Sequence, residues 1–296
     1  MDIASAVRPA WLTGSSLWLN LGALGLFVFG IVVVTKKTAP YSTGADRLIR
    51  LGRVFYTVSL AFFGMQHFAL IEIVRQAVPE WMPGRTFWAY FVGAALIAAC
   101  LSILTEIKGD IAALLLGVMF ILFVLMIFVP NLVENPHDRF AISNPLRDLS
   151  LCGGALCLAW TMSPPGRQER MRWLAVVGRS FFAVAILYFG VEQFLHPEFA
   201  PGVPLELQTP AWIPGHVAWA WFAGIVLVPA GLCILINKGA RWAAIAVGIA
   251  YLVLVAFVYM PMEFAHPSIE ISGELDYVAD TLAVGGAAFL VAGAVK

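Results

Sequence analysis

The stretch from Ile111 to Val129, IAALLLGVMFILFVLMIFV, holds 19 residues and no polar side chain. Wound as an α-helix it is about 28 Å long, against a bilayer hydrocarbon core of about 30 Å. Lipid offers the backbone no hydrogen-bond partner, so a run of this kind satisfies itself as a helix. Eight further stretches share its character: roughly 16–35, 48–69, 86–105, 147–162, 173–195, 217–236, 242–260 and 278–295. The chain predicts an all-α integral membrane protein with nine transmembrane helices. The first stretch follows Arg8 without a small-residue cleavage site and reads as a retained helix.

Composition agrees. Of 296 residues, 61% are apolar and 12% charged, whereas a soluble chain carries roughly a quarter charged residues. A soluble globule of this make-up would expose broad apolar surface and aggregate. Disorder, coiled coil, collagen and a secreted disulfide scaffold are excluded on the same figures. Eighteen basic residues balance eighteen acidic ones, which leaves no electrostatic footprint for nucleic acid. Cys100, Cys152, Cys157 and Cys233 sit in apolar runs and form no C-x-x-C pair. They read as buried thiols packing like small hydrophobes, and a thiol–disulfide relay gains no support from them.

Loop charge predicts an orientation. Lys36, Lys37, Arg47, Arg50, Lys108, Arg167, Arg170, Arg172, Lys238, Arg241 and Lys296 fall on one side; Arg8, Arg75, Arg85, Arg139 and Arg147 fall on the other. The richer side is expected to be cytoplasmic, with the N-terminus outside and the C-terminus inside. Most acids, and all five histidines (His67, His137, His196, His216 and His266), then gather on the outer side. Helix centres carry little polarity beyond Ser59, Ser102, Ser180 and the thiols, which counts against a proton-coupled pump or a channel.

Self-comparison organises the rest. Gly52-Arg53-Val54-Phe55 matches Gly178-Arg179-Ser180-Phe181, and Phe63 to Phe68 matches Phe189 to Phe194. Pro79-Glu80-Trp81-Met82-Pro83-Gly84 matches Pro210-Ala211-Trp212-Ile213-Pro214-Gly215. Trp88, Phe91 and Gly93 match Trp219, Phe222 and Gly224; Lys108-Gly109 matches Lys238-Gly239; Pro130 and Pro136 match Pro261 and Pro267. Asp148 with Gly153-Gly154 matches Asp280 with Gly285-Gly286. The offset drifts only from 126 to 132, the mark of a duplication. Each unit holds four helices, so both enter the membrane with the same polarity and their pseudo-axis runs along the membrane normal. The expected layout is a leading helix and inner loop in 1–45, then parallel four-helix repeats in 46–165 and 166–296. The leading helix has no counterpart and is a candidate docking surface for another chain.

These motifs resemble the DoxX-like family of prokaryotic membrane proteins. The features are an Arg–Phe helix start, a Phe-Gly-x-x-x-Phe helix end, the Pro-x-Trp-x-Pro-Gly segment, a Lys-Gly inner loop, a Pro-ended helix and a last helix with Gly-Gly. The family unit is one four-helix bundle; two stand here in tandem over roughly 46–296. The resemblance implies association with redox chemistry, since one relative looks like the membrane subunit of thiosulfate:quinone oxidoreductase.

Candidate site residues follow from the outer-side polarity. His67 and Glu192 lie near matched helix ends, where a His and a carboxylate could bond and protonate a quinone headgroup. Equally, they could be interfacial residues bonded to loop backbone or water. Asp148 and Asp280 are matched at expected helix starts, either as helix N-terminal carboxylates favoured by the macrodipole or as ligand-binding groups. Trp81 and Trp212 could wall a ring, although tryptophan at this depth more often forms an interfacial belt. A metal site assembled from His137, His266, Glu263 and Glu134 is a minor alternative, since no two histidines are close in sequence. Arg53 and Arg179 are expected to snorkel or pair with Glu106 and Asp110.

The leading expectation is a membrane subunit of a quinone-linked oxidoreductase in the prokaryotic cytoplasmic (inner) membrane. His67 and Glu192 would handle protons, and Trp81, Trp212, Asp148 and Asp280 would line the quinone pocket. No haem, flavin or iron–sulfur motif is present, so a redox subunit or periplasmic protein would supply electrons. The rival is a non-enzymatic membrane module binding a lipid, small molecule or metal, or scaffolding a periplasmic partner. A small-molecule transporter stands third.

Overall fold

The computed structural model describes residues 14–36, 44–265 and 274–295. Its long helices are α1 (Gly14–Lys36), α2 (Gly44–Ala69), α3 (Arg85–Thr105), α4 (Gly109–Glu134), α5 (Arg139–Met162), α6 (Arg172–Leu195), α7 (His216–Leu235), α8 (Ala240–Ala265) and α9 (Glu274–Ala294). Among the described residues there is no strand, only an isolated bridge between Phe199 and Gln208. Seven of these helices, α2–α4 and α6–α9, are long and apolar enough to cross a membrane. The chain is an all-helical, multi-pass membrane protein.

The remaining two helices explain the difference from the nine expected spans. Helix α5 carries Arg139, Arg147 and Asp148 in its first half, which costs it apolar character. The apolar part of α1 described in full covers only Leu21–Lys36. Helix α5 also starts well before residue 147, because Asp138 caps it by accepting a 2.7 Å bond from the Phe140 amide. Pro145 lies inside it and removes one backbone bond without ending the helix.

Four helices, α2, α5, α6 and α9, form the centre. Helix α9 packs on α2, α5 packs on α6, and α5 and α9 pack on each other. Small residues set these distances, since close backbone approach is the main source of helix adhesion in lipid. A Cβ on Gly286 of α9 would lie 2.5 Å from the Tyr56 backbone nitrogen of α2, and one on Gly153 of α5 would lie 2.5 Å from the Gly178 carbonyl of α6. Between α5 and α9, Gly154 faces Ala287 just as closely. Helices α3 and α4 flank one side of this centre, α7 and α8 the other, and α1 lies against α2 and α3.

Two local devices recur. Helices α4 and α8 each pass through one π-helical turn, Val124–Phe128 and Val255–Tyr259. Pro130 and Pro261 follow directly and cannot donate to the carbonyls of Met126 and Phe257 four residues back. The wider turn accommodates the missing bond and the ring. Gly84 and Gly215 take left-handed backbone angles (φ 69° and 67°) at the starts of α3 and α7. There the indoles of Trp88 and Trp219 donate back to the carbonyls of Pro83 and Pro214, at 3.1 and 3.2 Å. We call this the Pro-Gly end of the bundle. At the opposite end three ion pairs tie helices together: Arg53–Glu106, Arg167–Asp110 and Arg241–Asp46.

Candidate functional site

A cavity of about 560 Å³ opens toward the Pro-Gly end, between α2, α3, α4, α5 and α9. Most of its wall is apolar: Leu60 and Phe63 from α2, Leu96 from α3, and Phe120, Phe123 and Ile127 from α4 and its π turn. Polar groups converge on one side, from α2 (Gln66, His67), α5 (Asn144, Arg147, Asp148) and α9 (Asp276, Asp280). The segment before α7 adds Leu205 and Glu206.

Arg147 organises the polar wall. Its guanidinium donates to Asp148 at 3.2 Å and, across the α5–α9 interface, to Asp280 at 3.3 Å. Both carboxylates are almost fully buried, so neither could persist charged in this setting without the cation between them. One turn earlier on α9, Asp276 accepts a 2.5 Å bond from the Gln66 amide of α2. His67 places Nδ1 2.7 Å from the Phe63 carbonyl. A carbonyl only accepts, so Nδ1 carries the proton, and in the neutral ring Nε2 keeps its lone pair for a ligand.

The structure therefore brings His67, Asp148 and Asp280 to one cavity and separates the other predicted residues from it. Glu192 is held between α6 and the start of α5 by Arg139, at 2.5 Å and outside the cavity wall, and that guanidinium stacks 4.1 Å over the Phe199 ring. Trp81 and Trp212 are 69% and 49% exposed and line no part of the cavity. Their motif turns outward at that position, and Trp88, one helical turn into α3, reaches the wall instead. Asp148 and Asp280 are not helix N-terminal carboxylates. Asp148 sits in the third turn of α5 and Asp280 in the second turn of α9, past the free amides. Arg147 escaped the sequence reading because it was counted as a loop charge.

The matching place in the C-terminal half is occupied by the chain itself. Ala200, Pro201, Gly202 and Val203 are buried there, with Gly202 against Tyr251 and Leu254. Tyr259 donates a 2.6 Å bond to the Pro201 carbonyl, and the Tyr277 hydroxyl accepts one of 2.7 Å from the Leu207 amide. Ten residues lie between Phe68 and Pro79, but fifteen between Phe194 and Pro210. Those five extra residues supply the filling. This jump in offset, from 126 to 131 within one loop, was the sequence signal for it.

Among the described residues no group of three His, Cys, Asp or Glu side chains is placed to hold a metal ion. His266, one of the four residues of the metal alternative, lies outside the described residues. Cys100, Cys152 and Cys157 are buried free thiols and Cys233 is half-buried. Comparisons with protein families, with curated proteins and with solved structures find no match.

Proposed function

We propose that the chain is the membrane subunit of a quinone-linked oxidoreductase, built as two DoxX-like four-helix units behind a leading helix. The observation that carries this reading is the cavity: apolar over most of its wall, with His67 and the Arg147–Asp148–Asp280 cluster at one side. The paired architecture draws support from α4 and α8, which are equal in length and bear their π turns and prolines at the same positions. Helices α1 and α5, of 23 and 24 residues, are long enough to supply two further crossings. The Pro-Gly end is read as the outer face of a prokaryotic cytoplasmic membrane, from the loop charges.

The residues suit a quinone. A substituted ring fits within the 560 Å³ space, apolar side chains cover its faces, and Arg147 and Asn144 can donate to its oxygens. When bound, a quinone supplies two-electron, two-proton acceptor chemistry. The protein's share is to hold the head against Arg147, keep water from the apolar wall, and exchange a proton at His67 Nε2. Asp148 and Asp280 fix Arg147 and act as positioning residues. Electrons would come from a partner subunit or periplasmic protein.

A second reading, a binding module without electron transfer, is favoured by the charge of the polar wall. Asp148, Asp280 and Glu206 line the cavity with Arg147 among the described residues, a carboxylate-bearing wall that suits a cationic or hydroxyl-bearing head. Titration of the folded protein in nanodiscs with a short-tailed benzoquinone separates the two, read by quenching of tryptophan fluorescence. Saturable quenching that weakens about ten-fold in His67→Ala supports the quinone site. A folded wild type that shows none, but binds a quaternary ammonium amphiphile, would leave only the binding module.

A further inference from the structure

We infer that the cavity is filled sideways from the bilayer, through the seam between α3 and α4, by a molecule whose polar head meets Arg147 while its apolar tail stays in lipid. Met126 sets the opening of that seam. The inference deepens the proposed function by naming how the ligand arrives and what shape it has; only the identity of the head rests on the quinone reading.

Two residues that line the cavity, Phe91 on α3 and Leu122 on α4, are 53% and 46% exposed on the outer surface of the bundle. The cavity therefore reaches the surface between these helices, within spans that face lipid. The polar wall lies across the cavity on α5 and α9, so a ligand entering at the seam presents its head inward and trails its tail outward.

The matching seam, between α7 and α8, is built shut. Trp219, fourth residue of α7, stacks on Phe257, third residue of the α8 π turn, with ring centroids 6.1 Å apart and planes within 11°. At the α3–α4 seam the corresponding positions hold Trp88 and Met126, and both line the cavity. Met126 has no ring to stack, and Trp88 packs edge-on against Phe87 and Phe91 of its own helix. An unbranched thioether rotates out of the way where a phenyl ring could not. Met126 also occupies the carbonyl position left without a donor by Pro130, where the helix is already widened. The half that has its own chain in the cavity thus has a sealed seam, and the half with an open cavity has a yielding one.

The test uses the full chain in nanodiscs and a palmitate carrying a photoreactive diazirine beside its carboxylate head, with labelled residues located by mass spectrometry. Wild-type protein is expected to be labelled inside the cavity, at Leu96 or Phe120. Met126→Phe, which copies the sealed seam, should lower that labelling about ten-fold, while Met126→Leu keeps it. Wild-type protein without cavity labelling, or equal labelling of folded Met126→Phe, overturns the lateral route. The wild-type result decides the matter even if Met126→Phe fails to fold. Competition then tests the head separately. Displacement by excess long-tailed benzoquinone supports the quinone reading, whereas displacement by phospholipid alone keeps the route and removes the quinone.

Discussion

Arg147 of α5 donates across the molecular centre to Asp280 of α9 at 3.3 Å while also holding its neighbour Asp148. One cation thus pairs with two buried carboxylates, one from α5 and one from α9. Arg147→Met should destabilise the protein by about 3–5 kcal/mol, because it leaves buried charge without compensation. Asp280→Asn should cost less, since Asp148 still pairs with the arginine. Thermal unfolding in nanodiscs checks the order; an Arg147→Met protein as stable as wild type would show that the cluster is not held by charge.

Glu192 was a proton-handling candidate from sequence, yet Arg139 holds it away from the cavity. Glu192→Gln should therefore leave the proposed binding of a short-tailed benzoquinone unchanged while lowering stability, with Glu192→Ala lowering it by about 3–5 kcal/mol through the stranded guanidinium. A binding loss in folded Glu192→Gln would return the residue to the site.

Gly286 meets the Tyr56 backbone nitrogen with no room for a methyl group. Gly286→Ala must push α9 from α2 and should cost about 1–3 kcal/mol. Gly25→Ala, in open space on α1, is the control and should be neutral or slightly stabilising. Equal effects at the two sites, compared by unfolding, would mean that the contact is not tight.

The filling of the C-terminal half predicts a protease phenotype. Tyr259→Phe removes the donor to the buried Pro201 carbonyl and should cost about 1–3 kcal/mol. Phe199→Ala removes the ring over Arg139. Both variants should raise cleavage between residues 196 and 213 under limited proteolysis, and unchanged cleavage would show that the segment is anchored elsewhere.

The membrane class was legible in Ile111–Val129 alone, because length and dryness in lipid admit one secondary structure. The matched pair Asp148 and Asp280 was legible too, and the two residues do share a site. Helix boundaries were less so: the apolar run placed the start of α5 near residue 147, whereas the Asp138 cap lies outside any apolar run. Choosing among tryptophans failed for a geometric reason. Trp81 and Trp212 stand out in their motif, but the Pro-Gly turn points them outward and directs Trp88 and Trp219 back onto it. The pairing of Arg139 with Glu192, and of Arg147 with both aspartates, depends on how helices cross, which no local spacing encodes.

The packing of α9 on α2, and of α5 on α6, has a consequence for biogenesis. Helix α2 packs on α9, more than 200 residues later in the chain, so α2 leaves the ribosome long before this partner is made. Until then Gly52 and Gln66 lack their α9 neighbours, Phe289 and Asp276, which are still untranslated. Nascent chains halted before α9 are then half-assembled by construction. They present small-residue faces and unpaired polar groups that membrane quality control can read, and the arrival of α9 covers both.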